Sequence, residues 1–236
     1  MAKQTKIENS AVTVGAPLAK SDLATHARLM EAAGEIFAEK GFHAATVREI
    51  CTKAGANVAA VNYHFKDKQA LYTAVFEHAM CNVQPLFEKG PPVQQGEPRE
   101  RLAVFVHGFL ENLLASGKPA WANRIMSMEM IEPTHALDHF VEAMIRPMFG
   151  ALREIVADAL GHKADAVDVR YIGACIVGQC LFWKHSEPVI QRLYKDIRYS
   201  PEEIERIAGH ITAFSWAALE GLKTQRAEGK KQKGQA

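Results

Sequence analysis

Residues 46–68 of this 236-residue chain constrain its fold most, because they encode two very short helices separated by a tight turn. Thr46 precedes a short amphipathic stretch and Glu49 follows three residues later, the pattern of a capping box at a helix N-terminus. Gly55 supplies the turn, since glycine tolerates the positive φ that a sharp reversal requires. Asn57 is the expected N-cap of the next helix. The spacing predicts a helix-turn-helix.

Helical periodicity continues on both sides of this motif and predicts an all-α chain. Ser21 or Asp22 is the expected N-cap of the first helix, and Gly41 ends its apolar repeat. Asp67 is expected to cap the fourth helix. Further helices are predicted over residues 101–115, 121–131, 136–160, 166–185 and 201–223. Pro147 is expected to kink the helix that contains it, because proline lacks an amide donor.

The composition by itself does not indicate nucleic-acid binding, because 28 Lys and Arg residues and 27 Asp and Glu residues leave a net charge of +1. The apolar share of 48% is sufficient for a packed core and differs from that of a disordered chain. The spacing of the four cysteines matches no zinc-binding pattern, which favours free thiols. Together with the absence of a recognisable signal peptide, it favours a cytoplasmic location. No apolar run reaches the length of a membrane span, so no membrane partner is expected.

The second short helix of the motif is the expected recognition helix, with its exposed face in the major groove of DNA. Asn62 can form a bidentate pair with an adenine edge, and Ala59 or Ala60 can contact a thymine methyl group. The free N–H groups at the helix caps suit phosphates. The predicted DNA-binding residues are Thr46, Arg48, Asn57, Val58, Ala59, Ala60, Asn62, Tyr63, His64 and Lys68.

Four fragments of the first half, in order and at matching spacing, resemble the TetR (tetracycline-repressor-like) family of bacterial transcription regulators: residues 32–42, 46–50, 54–57 and 63–71. The resemblance implies that Tyr63, His64 and Lys68 hold the phosphate backbone, which sets register without reading sequence. Each has a simpler interpretation: packing for Tyr63, stabilisation of the helix dipole for His64, and a solvated surface position for Lys68. Family members commonly have an aromatic residue at the position of Asn62, so the contact made there can differ.

The second half resembles the effector-binding and dimer-forming half of the family more loosely, and is nearest to its CecR-type subgroup through the element from Glu129 to Pro133. The predicted helices 166–185 and 201–223 are apolar on more than one face and must be buried on several sides. The resemblance implies that they pair with the same helices of a second subunit in a four-helix bundle. An ordinary monomer core is the alternative. A dimer would place two recognition helices roughly 34–36 Å apart on a near-palindromic operator in double-stranded DNA.

Methionine and aromatic side chains cluster in the second half and favour an adaptable pocket for a small, largely apolar or aromatic effector. Polar groups of the cluster would hold a polar group of the effector. The predicted effector-binding residues are Phe105, His107, Phe109, Trp121, Arg124, Met128, Glu129, Met144, Arg146, Met148 and Gln179. The alternative is a core of flexible side chains without a ligand.

The division of the chain follows from these patterns and from the break at residues 90–98. We predict a mobile arm over residues 1–20 and a DNA-binding domain over 21–78. An effector-binding and dimerisation domain then covers 79–224, and a disordered tail covers 225–236.

Metal, cofactor and enzyme interpretations have little support in the sequence. His135 and His139 are separated by one helical turn and Asp138 is adjacent, but no further ligand stands at a fixed spacing. There is no glycine-rich phosphate loop and no nucleophile motif, so no metal, no cofactor and no catalysis are expected.

The leading hypothesis is therefore a ligand-responsive, dimeric regulator of transcription, a repressor released from its operator by the effector. Two other hypotheses are a helical adaptor that binds a protein through its methionine-rich face, and a small-molecule carrier or all-α enzyme.

Overall fold

The computed structural model describes residues 20–80, 96–114, 119–161, 163 and 166–233, and these residues form α-helices joined by short turns, with no β-strand among them. The prediction of an all-α fold is confirmed. The helices are α1 (Lys20–Ala44), α2 (Val47–Ala54), α3 (Val58–Phe65), α4 (Lys68–Met80), α5 (Pro98–Leu114), α6 (Ala122–Ile131), α7 (His135–Phe140), α8 (Arg146–Leu160), α9 (Val167–His185), α10 (Glu187–Leu193) and α11 (Pro201–Lys233).

The caps of the helix-turn-helix follow the local sequence. Glu49 donates its backbone N–H to Thr46 Oγ1 at 3.2 Å, and Thr46 N donates to Glu49 Oε2 at 3.0 Å, so both halves of the capping box are present. Gly55 ends α2 with φ of 60°, a left-handed conformation that favours glycine. Asn57 Oδ1 accepts from Ala59 N at 3.1 Å at the start of α3.

The ends of two helices differ from the prediction, because an existing helix continues past residues that were expected to end it or to precede it. Ser21 and Asp22 lie within α1, so neither is its N-cap; Gly41, with φ of 76°, does interrupt the helical backbone. The tail predicted to be disordered from residue 225 is helical through Lys233. Extending an existing helix adds one hydrogen bond per residue and avoids a new nucleation step. The short α10 was not predicted.

Pro147 changes the helical register instead of ending the helix. Residues Val141–Ile145 form one π-helical turn between α7 and α8, and Arg146 N bonds to Val141 O. The segment from α7 to α8 is thus continuous, with its irregularity immediately before the proline.

The buried side chains form two hydrophobic cores that do not coincide with the predicted domain boundary. The first core holds α1 to α4 together and also takes in Trp121, Ala122 and Ile125 from α6 and the residue before it, with Ala136 and Phe140 from α7. The second core joins α5, α8, α9 and α11. Helices α6 and α7 thus pack with the N-terminal helices although they follow the predicted boundary after residue 78, and that boundary stays a prediction.

Candidate nucleic-acid interface

Helix α3 presents a continuous exposed face. Val58, Ala59, Asn62 and Tyr63 are exposed, and 69% of Tyr63 is accessible to solvent. Val61 and Phe65 point the other way and are buried in the first core. Ala60 departs from the prediction, because it is half-buried and packs partly against that core. The free face thus combines one amide, one phenol and small apolar groups, which suits the edges of bases in a groove.

Helix α2 contributes exposed polar groups beside α3. Thr46 and Arg48 are exposed and border a shallow depression together with Thr52 and Lys53. The hydroxyl of Thr46 is already used, because it donates to Glu49 Oε2 at 2.8 Å. Arg48 is the more accessible donor for a phosphate in this predicted pair, and the role of Thr46 is to cap α2.

Four rings cluster where α3 ends. The centroids of Tyr63 and His64 lie 4.9 Å apart, and His64 lies 5.8 Å from His26 of α1. His26 in turn stacks on Phe65 at 4.7 Å. Burial lowers the pKa of His26, and the positive charges of His64 and His78 lower it further. His26 was not predicted, because its neighbours come from a helix distant in sequence.

Lys68 holds α4 against the end of α1 and is half-buried. Its ammonium donates to Ala45 O at 2.8 Å and His43 O at 3.3 Å, and lies 4.6 Å from the centroid of the Phe42 ring. An ammonium has three N–H donors, so one remains for a phosphate. The interpretation of Lys68 as a freely solvated lysine is wrong, and its contact with DNA stays a prediction.

The residues predicted to bind an effector are divided between the two cores. Phe105, Phe109 and Met148 pack in the second core, whereas Trp121 and Met144 pack in the first. These residues are therefore not one packed cluster, and their common role in binding an effector stays a prediction. Helical periodicity gives the buried face of a helix but not the helix that covers it.

The predicted polar effector contacts have partners within the protein or face solvent. His107 Nε2 lies 3.0 Å from Glu205 Oε2, and Gln179 donates to Ser215 Oγ at 3.3 Å. Arg146 forms a bidentate pair with Glu142 at 2.6 and 2.7 Å. Arg124 is exposed. Among the predicted set, Met128 borders a cleft between α1 and α6.

Glu129 is a buried carboxylate that connects the two halves of the sequence. Only 1% of it is exposed, and its oxygens accept from Tyr72 Oη at 2.6 Å, from Thr134 N at 2.9 Å and from Thr134 Oγ1 at 2.9 Å. Burial raises the pKa of Tyr72, and the hydrogen bond to Glu129 raises it further, so the phenol remains a donor. Glu129 thereby ties α4 to the turn between α6 and α7.

The histidines weighed as metal ligands have other neighbours. His139 Nδ1 lies 2.7 Å from Glu77 Oε1, and His135 Nδ1 lies 3.7 Å from Asp138 Oδ2. Over the described ranges, no three His, Cys, Asp or Glu side chains converge in a way that could hold a metal ion. Within the same ranges, no helix is both long and apolar enough to cross a bilayer.

Two family models match the chain. The model described as "Bacterial regulatory proteins, tetR family" matches residues 29–75, which span α2, α3 and most of α1 and α4. The model for the C-terminal domain of the HTH-type transcriptional dual regulator CecR matches residues 98–219, more than half of the chain. The chain belongs to the TetR family. Its C-terminal half is of the CecR type, so the resemblance seen in the sequence is confirmed.

Similar proteins agree with this assignment. The chain is 27% identical over 229 residues to the dual regulator CecR of Shigella flexneri, covering 92% of this chain and 98% of that protein. It is 26% identical over 136 residues to the transcriptional regulator UidR of Escherichia coli K12, covering 58% of this chain and 64% of UidR. A transcriptional regulator from Aquifex aeolicus shares the fold, with a TM-score of 0.52 at 19% identity over 80% of this chain and 99% of that one.

These findings establish the general function. The chain is a DNA-binding transcriptional regulator of the TetR family, and the family consists of regulators rather than enzymes. Helix α3 is the second helix of its helix-turn-helix, the position that a recognition helix takes in this motif.

Proposed function

We propose that two copies of this chain bind a near-palindromic operator as a dimer, repress transcription there, and are released by a small apolar or aromatic effector. The exposed face of α3 carries this proposal, because Val58, Asn62 and Tyr63 lie on a capped short helix and are accessible to solvent. In this interpretation Asn62 reads an adenine edge and Tyr63 contacts the backbone.

The outer faces of α9 and α11 support the dimer. On α9, Tyr171, Ala174, Cys175, Gly178 and Phe182 are exposed at helical spacing, which forms one stripe without charged groups. A Cβ built on Gly178 would meet no atom within 4 Å, so the surface beside it is open.

Helix α11 carries a matching stripe. The stripe consists of the exposed residues Ala213, Phe214, Ala217, Ala218 and Gly221, and 70% of Phe214 is accessible. Two such stripes side by side form an apolar patch of the kind that marks a protein interface. Burial against the same patch of a second subunit gives an isologous four-helix bundle.

The proposed ligand response rests on the contact between α4 and α6 within the first core. Helix α4 carries the helix-turn-helix at one end and bonds to Glu129 through Tyr72. An effector that binds one arrangement of α4 and α6 more tightly than another would change the separation of the recognition helices.

Operator binding is tested by selecting genomic fragments with the full chain and measuring affinity by fluorescence anisotropy at several salt concentrations. Tyr63→Ala should weaken binding about tenfold on all sequences, because a phosphate contact is lost. Asn62→Ala should relax the preference at one base pair, by about 1–3 kcal/mol.

Tyr63→Phe is the matched control, since it keeps the ring and removes only the hydroxyl. Equal losses in the Phe and Ala variants assign the contact to the hydroxyl. Failure to select any specific fragment, or full affinity in both Asn62→Ala and Tyr63→Ala, would contradict the proposal.

A further inference from the structure

A cleft lies where the end of α1 meets the turn between α6 and α7. It has a volume of about 210 Å³. Its lining includes Lys40, Phe42 and His43 from the last turns of α1, Tyr72 from α4, and Met128 and Glu132 from α6 and its cap. The cleft is thus lined by α1, α4 and α6, three helices that share the first core.

The inner wall of the cleft is apolar although it contains hydroxyl groups. The Tyr72 hydroxyl and the Thr134 hydroxyl both donate to the buried carboxylate of Glu129, so neither hydroxyl hydrogen is available to a ligand. The Phe42 and Tyr72 rings, 5.0 Å apart, and the half-buried Met128 side chain then offer aromatic and thioether surface. The volume is below the range of about 300–1,000 Å³ that suits drug-sized molecules, so a single aromatic ring is the appropriate size.

The charged side chains of the lining specify the polar end of such a ligand. Lys40 brings an ammonium and His43 an exposed imidazole, both from the same end of α1. Glu132 is the acidic side chain of the described lining. A carboxylate placed at Lys40 and His43, away from Glu132, would gain charge-assisted hydrogen bonds.

Lys40 also connects the cleft to the helix-turn-helix. Its ammonium lies 2.5 Å from Glu49 Oε1, and Glu49 is the residue whose other oxygen caps α2 through Thr46. The hydrogen bond and charge of Glu49 raise the pKa of Lys40, which keeps the ammonium protonated. A ligand carboxylate would therefore compete with Glu49 for Lys40, at the entry of α2.

We propose that this cleft binds a small aromatic carboxylate, and that binding weakens the hold of Lys40 on the α2 capping box. The inference deepens the proposed function, on which it rests, by locating the effector where α1 and α4 meet the end of α6. Loss of the Lys40 contact loosens the start of α2 and with it the orientation of α3, so operator affinity falls when the cleft is occupied.

The test uses the full chain with benzoate as the probe and benzamide as its uncharged counterpart, followed by titration calorimetry and ligand-observed NMR. We expect benzoate to bind with a Kd of about 1 mM, because a ligand this small makes few contacts. Lys40→Gln should weaken benzoate about threefold, the effect of one exposed ion pair, and Glu132→Gln should strengthen it by a similar factor. Benzamide should bind to the wild-type chain more weakly than benzoate does. Benzamide and benzoate should bind to the Lys40→Gln chain with equal affinity.

Lys53→Gln is the matched control for benzoate affinity. Lys53 is also an exposed lysine in an ion pair between α1 and α2, with Glu35, but it lies outside the lining of the cleft. Equal benzoate affinity in the Lys40 and Lys53 variants, or no benzoate binding at about 10 mM, would overturn the site.

The regulatory step has its own measurement. Benzoate at saturation should lower operator affinity of the wild-type chain severalfold and change that of Lys40→Gln less. Unchanged operator affinity with the cleft occupied would overturn the regulatory step. Absence of operator binding without benzoate would instead contradict the proposed function, while the calorimetric result on the cleft would stand.

Discussion

Gly34 shows how one missing side chain allows α1 and α6 to pack together. A Cβ added at Gly34 would lie 2.3 Å from the indole of Trp121, far inside contact distance. The indole cannot swing away freely, because its Nε1 donates to Glu31 Oε1 at 3.0 Å and only 6% of the residue is exposed. The ring therefore fills the space that the glycine leaves open.

Gly34→Ala should destabilise the chain by about 1–2 kcal/mol. Overpacking costs about 1–3 kcal/mol, and the higher helix propensity of alanine offsets less than about 1 kcal/mol of it. Urea unfolding followed by circular dichroism measures this change.

Gly150→Ala in α8 is the matched control, because a Cβ there meets no atom within 4 Å. It should stabilise the chain by roughly 0.5–1 kcal/mol through helix propensity alone. A Gly34→Ala chain as stable as the Gly150→Ala chain would contradict the proposed clash.

For single residues, the sequence predicts whether a side chain is exposed better than it predicts which residues the side chain contacts. The prediction for Tyr63 agrees with its exposed position, because Tyr63 lies on the face of α3 opposite to the buried Val61 and Phe65. Lys68 could not be placed in the same way. The carbonyls that it reaches belong to His43, in the last turn of α1, and to Ala45, just after that helix. Both lie more than 20 residues earlier, and no local pattern indicates them.

Among the elements, α2 depends most directly on a single ionised group. Hydrogen bonds from Lys40 and from the side chain and backbone of Thr46 lower the pKa of Glu49 from its ordinary 4.5 to about 2. A carboxyl whose pKa is lower in the folded state than in the unfolded state stabilises the fold above the unfolded value. That contribution is lost as the pH falls from about 4.5 to about 2.

Glu49→Gln should therefore remove one acid-sensitive component of stability. The difference in free energy of unfolding between the wild-type chain and the variant should be constant above pH 4.5 and shrink toward pH 2. Urea unfolding at a series of pH values provides the measurement. A difference that stays constant over the whole window would show that the Glu49 charge does not hold α2.

Elements with a strong local signal were predicted, and elements set by context were not. The caps of α2, α3 and α4 follow from short polar motifs, and Asp67 Oδ1 indeed accepts from Ala70 N at 2.8 Å. Helix α10 has seven residues and includes Pro188, so it offers too little periodicity to be recognised. The length of α11 beyond residue 225 depends on the helix that precedes it.

At the scale of the whole molecule, the apolar stripes of α9 and α11 determine the assembly that we propose. Ala217→Arg should place a charge in the proposed four-helix bundle and produce a monomer. Light scattering should then give a mass near 26.1 kDa instead of twice that value. Operator affinity should fall at least about a hundredfold, because each half-site would be bound alone.

Ala143→Arg provides the control for this variant. Ala143 is also exposed, but it lies in the π-helical turn before α8, away from both stripes. A wild-type chain that is monomeric at micromolar concentration, or an Ala217→Arg chain that remains dimeric, would contradict the proposed interface.

The distribution of the helices between the two cores could not be predicted from the sequence. The sequence predicted a domain boundary after residue 78, yet α6 and α7, which follow it, pack in the first core. The predicted effector residues were grouped because they are close in sequence, and they separate because adjacent helices face different cores. Amphipathic patterns give buried faces, whereas the choice between two apolar partners depends on shape complementarity such as that of Gly34 and Trp121.

The seating of Trp121 against Gly34 also gives the chain an internal optical probe. Trp183 and Trp216 pack on the second core, so replacing both with phenylalanine leaves Trp121 as the only indole. Its fluorescence would then report the junction between α1 and α6. Opening of this junction would shift the emission to longer wavelength as water reaches the ring, which makes the movement observable without an attached dye.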